Sequence, residues 1–409
     1  MPRVSMSYNT LLDEIEEAPT VSLLRIAEEL RRSGADPIML LAGEPGVPPP
    51  LEVREMLCEA LRVESMSLYS YTPSEGVAEL REAIAYDLKE LGGIDVKPSQ
   101  IVITAGGQGA MFSSLAAIAR EGDEVILVDP TYFGYNGLIK FFKLRARRII
   151  APAERGFQPD PEALKEAISP GRTKAVILVS PDNPTGRLLD RSVARAIAEI
   201  AQDYGLWILY DEPYKTLVYE GEHVYLYELA PENVLALNAF SKDPGIPGWR
   251  LGYVYGPEWL MKRVAIASEV SVYNPPSIAQ ELALRYLRNR ELRRRHIERV
   301  RSIYVERRDV MLREASKLRE ARFIKPGGAM FLFVDLSAYL ERAGMTSEQL
   351  AEKLLVEKHV ATVPGSFFGE STRRYLRLTF TTETPERIKE GVARLRELLE
   401  ESTTTTQRF

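Results

Sequence analysis

From about residue 100 to residue 240 the chain alternates between short apolar runs and longer segments of mixed polarity. In the longer segments apolar residues recur with the period of an amphipathic helix; they read QGAMFSSLAAIAR, PEALKEAIS and RSVARAIAEIAQDYG. The apolar runs are continuous, as expected of strands covered by helices on both faces; they read QIVITAGG, EVILVDP, KAVILVS, LWILYDEPY and NVLALNAF. This alternation predicts an α/β fold with a doubly wound, mostly parallel sheet.

The pattern changes after about residue 290. A long charged helix precedes AMFLFVDLS, SEQLAEKLLVEKH, YLRLTF and PERIKEGVARLRELLEE, which predict strand, helix, strand and helix. This order is typical of a smaller α+β domain. The 409 residues suit two domains. We expect a large domain over residues 51–290 and a small domain over residues 291–409, with residues 1–50 packed against the small domain.

Composition places the chain among soluble globular proteins. Apolar residues make up 45% and charged residues 27%, and the net charge is −5 with both signs mixed throughout. Because there is no basic patch, nucleic acid is not expected as a partner. The first residues, MPRVSMSYNTLLDEIEEAP, lack the regions of a signal peptide, and no stretch approaches eighteen apolar residues. We therefore expect a cytoplasmic protein without a membrane partner.

Disulfide and metal chemistry are not expected either. Cys58 is the only cysteine, so an intrachain disulfide and a cysteine-based zinc site are impossible. The histidines His223, His296 and His359 are scattered and lack the spacing of metal ligands. Charges of both signs along the predicted helices are typical of solvated helix surfaces, and they also fit the ion-rich surfaces of thermophile proteins.

One glycine-rich turn joins a predicted strand to a predicted helix. In ITAGGQGAMF, backbone N–H groups at the start of the helix would favour a phosphate. The turn is not a Walker loop, because no Gly-Lys-Ser/Thr follows. It is not a dinucleotide-binding GxGxxG either, because Phe112 occupies the third glycine position, which argues against a dehydrogenase. For this segment alone, phosphate binding and a plain strand–helix turn both stay open.

Further polar residues follow predicted strands, and open α/β sheets bind ligands at the carboxyl ends of their strands. Asp211 and Tyr214 come at the end of LYDEPY, and Asn183 comes within SPDNPTG. Taken singly, these three residues fit a cap, a packing residue and a turn. Lys242 lies in NAFSKDPGIPGWRLGY, eight residues before Arg250. Taken singly, it fits a solvated loop lysine.

Taken together, these residues are the parts that a pyridoxal phosphate enzyme requires. A lysine such as Lys242 forms a Schiff base with the cofactor. A carboxylate such as Asp211 keeps the pyridine nitrogen protonated, so that the ring accepts electrons. The glycine turn and Arg250 would hold the phosphate. We therefore expect pyridoxal 5'-phosphate as the cofactor.

Over nearly its whole length the chain resembles the fold-type I aminotransferases of class I/II, the family of aspartate, aromatic and alanine aminotransferases. FSKDPGIPGWRLG fits the lysine motif of that family. The resemblance makes Lys242 the Schiff-base lysine and Arg250 a phosphate ligand. It makes Asp211 the partner of the pyridine nitrogen, and it makes Asn183 and Tyr214 the partners of the ring hydroxyl oxygen.

The resemblance assigns further cofactor ligands. Gly106, Gly107 and Gln108 would bind phosphate, largely through their backbone. Tyr132, two residues after Pro130, matches the aromatic residue that stacks on the pyridine ring.

The resemblance also implies a substrate site and a second subunit. Arg377 in YLRLTF matches the arginine that binds the substrate α-carboxylate bidentately. Gly43 in LAGEPG matches a glycine near that carboxylate, which Asn183 also approaches. Tyr71 in YTPSEG matches the tyrosine that reaches the phosphate of the neighbouring subunit. This last match implies a homodimer with active sites at the interface.

Two positions depart from the family pattern. Ala239 stands where many members carry a Ser or Thr that contacts phosphate, so Ser241 is the remaining hydroxyl candidate. Counting back from Pro275 places Glu269 where the aspartate-specific branch has an arginine for the distal carboxylate. Glu269 therefore weighs against strict dicarboxylate specificity of that kind. It fits a surface residue, or one that favours a basic substrate side chain.

The function that the resemblance implies is an aminotransferase that moves an amino group between an amino acid and a 2-oxo acid. Other reactions on the same scaffold stay open, namely those of β-lyases and of cyclopropane-forming, decarboxylating or cyclising enzymes. A regulator that binds the cofactor without turnover is a further alternative. The sequence leaves the amino donor open, with aliphatic, aromatic and alanine or glutamate donors all possible.

Overall fold

The computed structural model describes residues 9–15, 17, 19–62 and 66–406. Within these ranges the helices are α1 (Pro19–Arg32), α2 (Leu51–Arg62), α3 (Ala78–Gly92), α4 (Gly106–Ile118), α5 (Gly134–Phe141), α6 (Pro161–Ala167), α7 (Arg191–Tyr204), α8 (Leu226–Leu229), α9 (Glu258–Val272), α10 (Ser277–Arg288), α11 (Arg290–Ala315), α12 (Ser337–Ala343), α13 (Ser347–Lys358) and α14 (Pro385–Thr406). The strands are β1 (Ile38–Met39), β2 (Ile101–Thr104), β3 (Glu124–Asp129), β4 (Arg145–Ile150), β5 (Thr173–Val179), β6 (Trp207–Asp211), β7 (Val234–Ala239), β8 (Gly252–Tyr255), β9 (Arg322–Phe323), β10 (Phe331–Asp335), β11 (Val360–Ala361), β12 (Val363–Pro364) and β13 (Tyr375–Thr379).

A seven-stranded sheet forms the centre of the larger part of the molecule, in the order β2-β8-β7-β6-β5-β3-β4. All of its neighbouring strands are parallel except β8, which is antiparallel to both β2 and β7. The predicted α/β fold with a mostly parallel sheet is therefore confirmed. The alternation did not indicate two of the strands. β4 is a charged edge strand, and β8 lies in the segment after the lysine loop.

The continuous apolar runs are buried on both faces of this sheet. In β3, Ile126 packs into one core cluster and Leu127 into the cluster on the opposite face. Val176 and Ile177 divide in the same way in β5. Because successive strand side chains point to opposite faces, a strand covered by helices on both sides must be apolar at every position.

A four-stranded antiparallel sheet, β12-β13-β10-β9, forms a second layer together with α11 to α14. Its core cluster includes Phe331, Leu376 and Leu378. Ile38 and Leu40 from the N-terminal part of the chain pack into the same cluster, and β1 pairs in parallel with β11. The domain limits 1–50, 51–290 and 291–409 stay a prediction.

The connections after β5, β6 and β7 and the start of α4 meet at one edge of the large sheet. These segments carry Asn183, Asp211, Lys242 and Gly106. The carboxyl ends of strands are the usual place for a ligand in such a sheet. The fold therefore concentrates the chemistry-bearing residues at this edge.

Candidate active site

A cavity of about 330 Å³ lies at this edge, between the two sheets. It collects most of the residues that the sequence singled out. Those that line it are Gly43, Gly107, Gln108, Tyr132, Asn183, Asp211, Tyr214, Ser241, Lys242, Arg250 and Arg377.

Lys242 follows β7 and points into this cavity rather than into solvent. Its Nζ donates a hydrogen bond of 2.5 Å to the carbonyl oxygen of Gly43 and lies 5.8 Å from the centre of the Tyr214 ring. Burial lowers the pKa of the Lys242 ammonium to about 8; Glu44 opposes this shift, and Arg377 adds to it. A neutral amine is therefore accessible near pH 8, and the neutral amine is the nucleophilic form.

Asp211 ends β6 and faces the same cavity. Its Oδ2 accepts a hydrogen bond of 2.6 Å from the hydroxyl of Tyr135. Burial raises the pKa of Asp211 to about 6, although the hydrogen bond from Tyr135 opposes that shift. Above this pH the residue is a carboxylate that can stabilise a protonated ring nitrogen.

The glycine turn and Arg250 lie against each other. α4 begins at Gly106, whose φ is +73°, and a Cβ at this position would lie 2.6 Å from Nη2 of Arg250. The positive φ favours glycine, and a Cβ here would force the guanidinium of Arg250 to move. The first backbone N–H groups of a helix have no intrahelical partner, so the turn and Arg250 together could hold an anion.

Arg377 lies in β13 with its side chain almost fully buried. It donates hydrogen bonds to Oδ1 of Asn183 at 2.9 Å and to the carbonyl oxygen of Leu41 at 2.7 Å. Its guanidinium lies 4.3 Å from the ring centre of Phe331 and 5.1 Å from that of Phe368. Burial lowers the pKa of Arg377 to about 10, which leaves the group charged at neutral pH.

Two predicted residues lie outside the lining of the cavity. Gly106 does not line the cavity itself, but it lies next to Arg250, which does. Tyr71 is 80% exposed, and its ring centre lies 4.8 Å from that of Tyr273. Two residues depart from the family pattern. Ala239 lines the cavity and has no hydroxyl, whereas Glu269 is exposed on α9 and is not among the residues that line the cavity.

Sequence reasoning missed three residues that complete the site. Tyr135 hydrogen-bonds Asp211, and Phe331 and Phe368 cover the guanidinium of Arg377. Tyr135 follows Tyr132 by three residues in YFGYNG, which places both rings on one side of the start of α5, with centres 5.4 Å apart. That spacing was the available signal. No pattern in the sequence indicated the two phenylalanines.

The described residues contain no helix that is long and apolar enough to cross a membrane. In the same ranges, no three or more His, Cys, Asp or Glu side chains are grouped so that they could hold a metal ion. Fold and site together define an α/β protein in which one lysine shares a cavity with two arginines.

Comparison with known proteins identifies the family. The profile of "Aminotransferase class I and II" matches residues 35–395. The chain is 35% identical to the aspartate/prephenate aminotransferase of Thermus thermophilus, over 94% of this chain and 97% of the relative. It is 34% identical to the aspartate aminotransferase of Pyrococcus horikoshii, over 89% and 91%. The chain therefore belongs to the class I and II aminotransferase family and is an aminotransferase.

Solved structures agree with this assignment. The aspartate aminotransferase of Thermus thermophilus with maleate superimposes with a TM-score of 0.90 at 34% identity, over 96% of this chain and all of that one. The aromatic aminotransferase of Pyrococcus horikoshii superimposes with a TM-score of 0.83 at 29% identity, over 92% and 99%. The family, the fold class and the aminotransferase activity that the sequence predicted are thus confirmed.

Proposed function

We propose that the cavity binds pyridoxal 5'-phosphate and the α-carboxylate of an amino acid, whose amino group is then transferred to a 2-oxo acid. One observation carries this proposal. Lys242, Arg250 and Arg377 all line one cavity. Their hydrogen bonds go to backbone carbonyl oxygens and to Oδ1 of Asn183, which are all uncharged acceptors. A charge removed from water is costly without a counter-ion, and Arg377 is almost fully buried, so the cavity favours anionic ligands.

The residues present fit this cofactor. The turn at Gly106, closed against Arg250, suits the phosphate, and Gly107 and Gln108 contribute N–H groups at the start of α4. Asp211 suits the ring nitrogen, and Tyr132 offers an aromatic face to the ring. Ser241 supplies the hydroxyl that Ala239 lacks. When bound, the cofactor supplies an aldehyde that carries the amino group and a protonated ring that withdraws electrons from the substrate.

Each remaining residue has a proposed task at a stated atom. Nζ of Lys242 would hold the aldehyde of the cofactor, and as a neutral amine it would take the proton from the substrate Cα. Asp211 would hold the proton on the ring nitrogen. Asn183 and Tyr214 would hold the ring hydroxyl oxygen through hydrogen bonds.

Arg377 decides which bond at Cα faces the lysine. Its planar fork binds the α-carboxylate in two parallel hydrogen bonds, beside the backbone of Gly43. A carboxylate held in this way keeps the Cα–H bond towards Nζ of Lys242, and such fixed orientation accounts for a large part of enzymatic rate enhancement. Proton transfer from Cα is then favoured over loss of the carboxylate.

The protein is proposed to act as a homodimer in the cytoplasm. Exposed apolar side chains lie on two adjacent segments, residues 66–71 and the second half of α9 with the residue that follows it. They are Met66, Tyr69, Tyr71, Ile266, Val270, Val272 and Tyr273. The contact between the rings of Tyr71 and Tyr273 joins the two segments. A contiguous exposed apolar patch supports an interface with a second copy, from which Tyr71 would reach the partner's phosphate site.

The amino donor is tested together with the reaction. The cofactor-loaded protein is given one amino acid at a time, without any 2-oxo acid, and its absorbance spectrum is followed. The panel includes aspartate and aromatic amino acids, which the names of the relatives indicate, and aliphatic ones. Loss of the lysine-bound band with release of an equimolar 2-oxo acid supports transamination, and the fastest converter identifies the donor. A shifted band with release of ammonia would instead assign a lyase. Absence of any band with added cofactor would contradict the proposal.

A further inference from the structure

The residue after Asp211 is a second carboxylate that faces away from the active site. Strand side chains alternate between faces, so Glu212 points to the side opposite the one that Asp211 faces. The side chain of Glu212 is fully buried. Its Oε1 accepts hydrogen bonds from Nζ of Lys215 at 2.8 Å and from the hydroxyl of Tyr255 at 3.2 Å, and its Oε2 lies 3.1 Å from Nε2 of His223.

Lys215, three residues after Glu212, anchors the other end of the segment 211–215. It is buried and donates a second hydrogen bond, to the hydroxyl of Tyr253 at 3.0 Å. Neither Glu212 nor Lys215 lines the active-site cavity, whereas Asp211, Pro213 and Tyr214 do. The segment 211–215 therefore presents its cofactor-facing residues on one side and its ion pair on the other.

The backbone at this pair is fixed as well. The N–H of Glu212 donates to the carbonyl oxygen of Leu237 at 2.9 Å, and the carbonyl oxygen of Glu212 accepts from Nδ2 of Asn238 at 3.0 Å. The carboxylate stays ionised: although burial opposes it, Lys215 and His223 lower the pKa of Glu212 to about 2. With its side chain and both backbone groups held, Glu212 has little freedom to rotate.

Stability alone does not account for such a pair. Replacing a buried ion pair by apolar residues of similar volume is often neutral or stabilising. A directional pair does, however, define one geometry, whereas apolar packing tolerates several.

We propose that Glu212 and Lys215 are positioning residues whose ion pair, formed behind the strand, fixes the directions of Asp211 and Tyr214 towards the cofactor. This inference rests on the proposed function, because it assigns the pair to the placement of two proposed cofactor ligands. Neither residue touches the cofactor or the reacting atoms.

The test removes the pair without changing the net charge. In the double variant Glu212→Gln/Lys215→Met both side chains keep their approximate volume. Because a misplacement of about 1 Å can cost up to about a hundredfold in rate, we expect kcat to fall about tenfold or more. The KM for the amino acid should change less than about threefold, since Arg377 lies in another sheet. The dissociation constant of the cofactor, titrated by fluorescence into cofactor-free protein, should rise about tenfold.

A matched control separates positioning from stability. Glu314 and Lys317 form an ion pair with the same three-residue spacing at the end of α11, in which Glu314 is buried. Neither residue lines the active-site cavity. The variant Glu314→Gln/Lys317→Met should leave the cofactor constant and kcat unchanged, even where its melting temperature falls as far as that of the first double variant.

The inference is overturned if the Glu212→Gln/Lys215→Met protein folds and keeps the native cofactor constant, the native spectrum and a kcat within about twofold of the native value. If that variant does not fold, Lys215→Met alone decides, because Glu212 then keeps His223 and Tyr255 as partners. Native behaviour of Lys215→Met would likewise overturn the inference, and the signature described above would support it. Failure of the native protein to bind the cofactor would instead contradict the proposed function.

Discussion

The hydroxyl of Tyr135 donates a 2.6 Å hydrogen bond to Oδ2 of Asp211, beside the cavity that holds Lys242. Burial drives the pKa of Asp211 upward, and this hydrogen bond limits the rise to about 6. Tyr135 therefore keeps Asp211 ionised at neutral pH, which is the form that the proposed pairing with a protonated ring nitrogen requires.

The variant Tyr135→Phe should shift the acid limb of activity. Removing a hydrogen bond to the charged form raises the pKa of Asp211, so the carboxylate is lost at a higher pH as the pH falls. Since hydrogen bonds to charged groups contribute about 1.5 kcal/mol or more, the acid limb of kcat/KM should move upward by about one pH unit. As a control, Tyr219→Phe removes a buried hydroxyl that donates to the carbonyl oxygen of Ala329 and should leave the limb in place. An unmoved limb in Tyr135→Phe would contradict the role of the bond.

The variant Arg377→Lys should separate substrate binding from cofactor binding. A lysine keeps the charge but loses the planar fork, so the KM for the amino acid should rise roughly tenfold to a hundredfold. The cofactor dissociation constant should stay within about twofold, because the phosphate site is formed by other residues. Arg308→Lys replaces another buried arginine, one that pairs with Glu220, and serves as the control. Equal loss of affinity for cofactor and substrate would argue against the assignment.

The variant Gly106→Ala should weaken cofactor binding through a steric effect. The new Cβ would meet the guanidinium of Arg250 and displace it from the proposed phosphate site. Gly122 also has a positive φ, +86°, but a Cβ there would meet nothing within 4 Å. Both alanine variants should lose about 1 kcal/mol of stability from backbone strain, as measured by denaturant unfolding. Only Gly106→Ala should bind the cofactor about tenfold less tightly; similar affinities in both variants would rule out a phosphate site at this turn.

Mixed dimers test whether Tyr71 serves the partner subunit. Subunits carrying Lys242→Ala have no reactive lysine, and subunits carrying Tyr71→Phe should bind the cofactor less tightly. In a dimer of one of each, a single site combines a native Lys242 with a native Tyr71 from the other chain. Such mixtures should therefore regain native cofactor affinity in about half of the sites of the mixed dimers. Affinity and activity equal to the average of the two parents would place Tyr71 in its own subunit's site or outside it.

The sequence indicated Asp211, Asn183 and Lys242 for a physical reason. Each follows a continuous apolar run, and the carboxyl ends of such strands meet at one edge of the sheet. Arg377 was found only through the family resemblance, because an arginine within a short strand has no pattern of its own. Its environment, with Phe331 and Phe368 against the guanidinium, depends on packing between segments far apart in sequence.

Other features escaped prediction for equally specific reasons. The strand β4 is rich in arginine, because an edge strand is exposed and needs no continuous apolar run. Tyr135 was not singled out in the sequence, because only the fold brings its hydroxyl to Asp211. The sequence pattern did not single out Glu212 and Lys215, yet both are buried behind the strand that carries Asp211. Long-range contacts of this kind leave no periodic trace in the sequence.

The central claim, that Lys242 carries the cofactor, has one direct test. The protein loaded with pyridoxal 5'-phosphate is treated with borohydride, which makes a lysine–cofactor bond permanent, and is then digested and mapped by mass spectrometry. The account predicts the added mass on the peptide that contains Lys242, and none on that peptide in Lys242→Ala. Added mass on a different lysine alone, or on no peptide of a protein that still turns over amino acids, would contradict it.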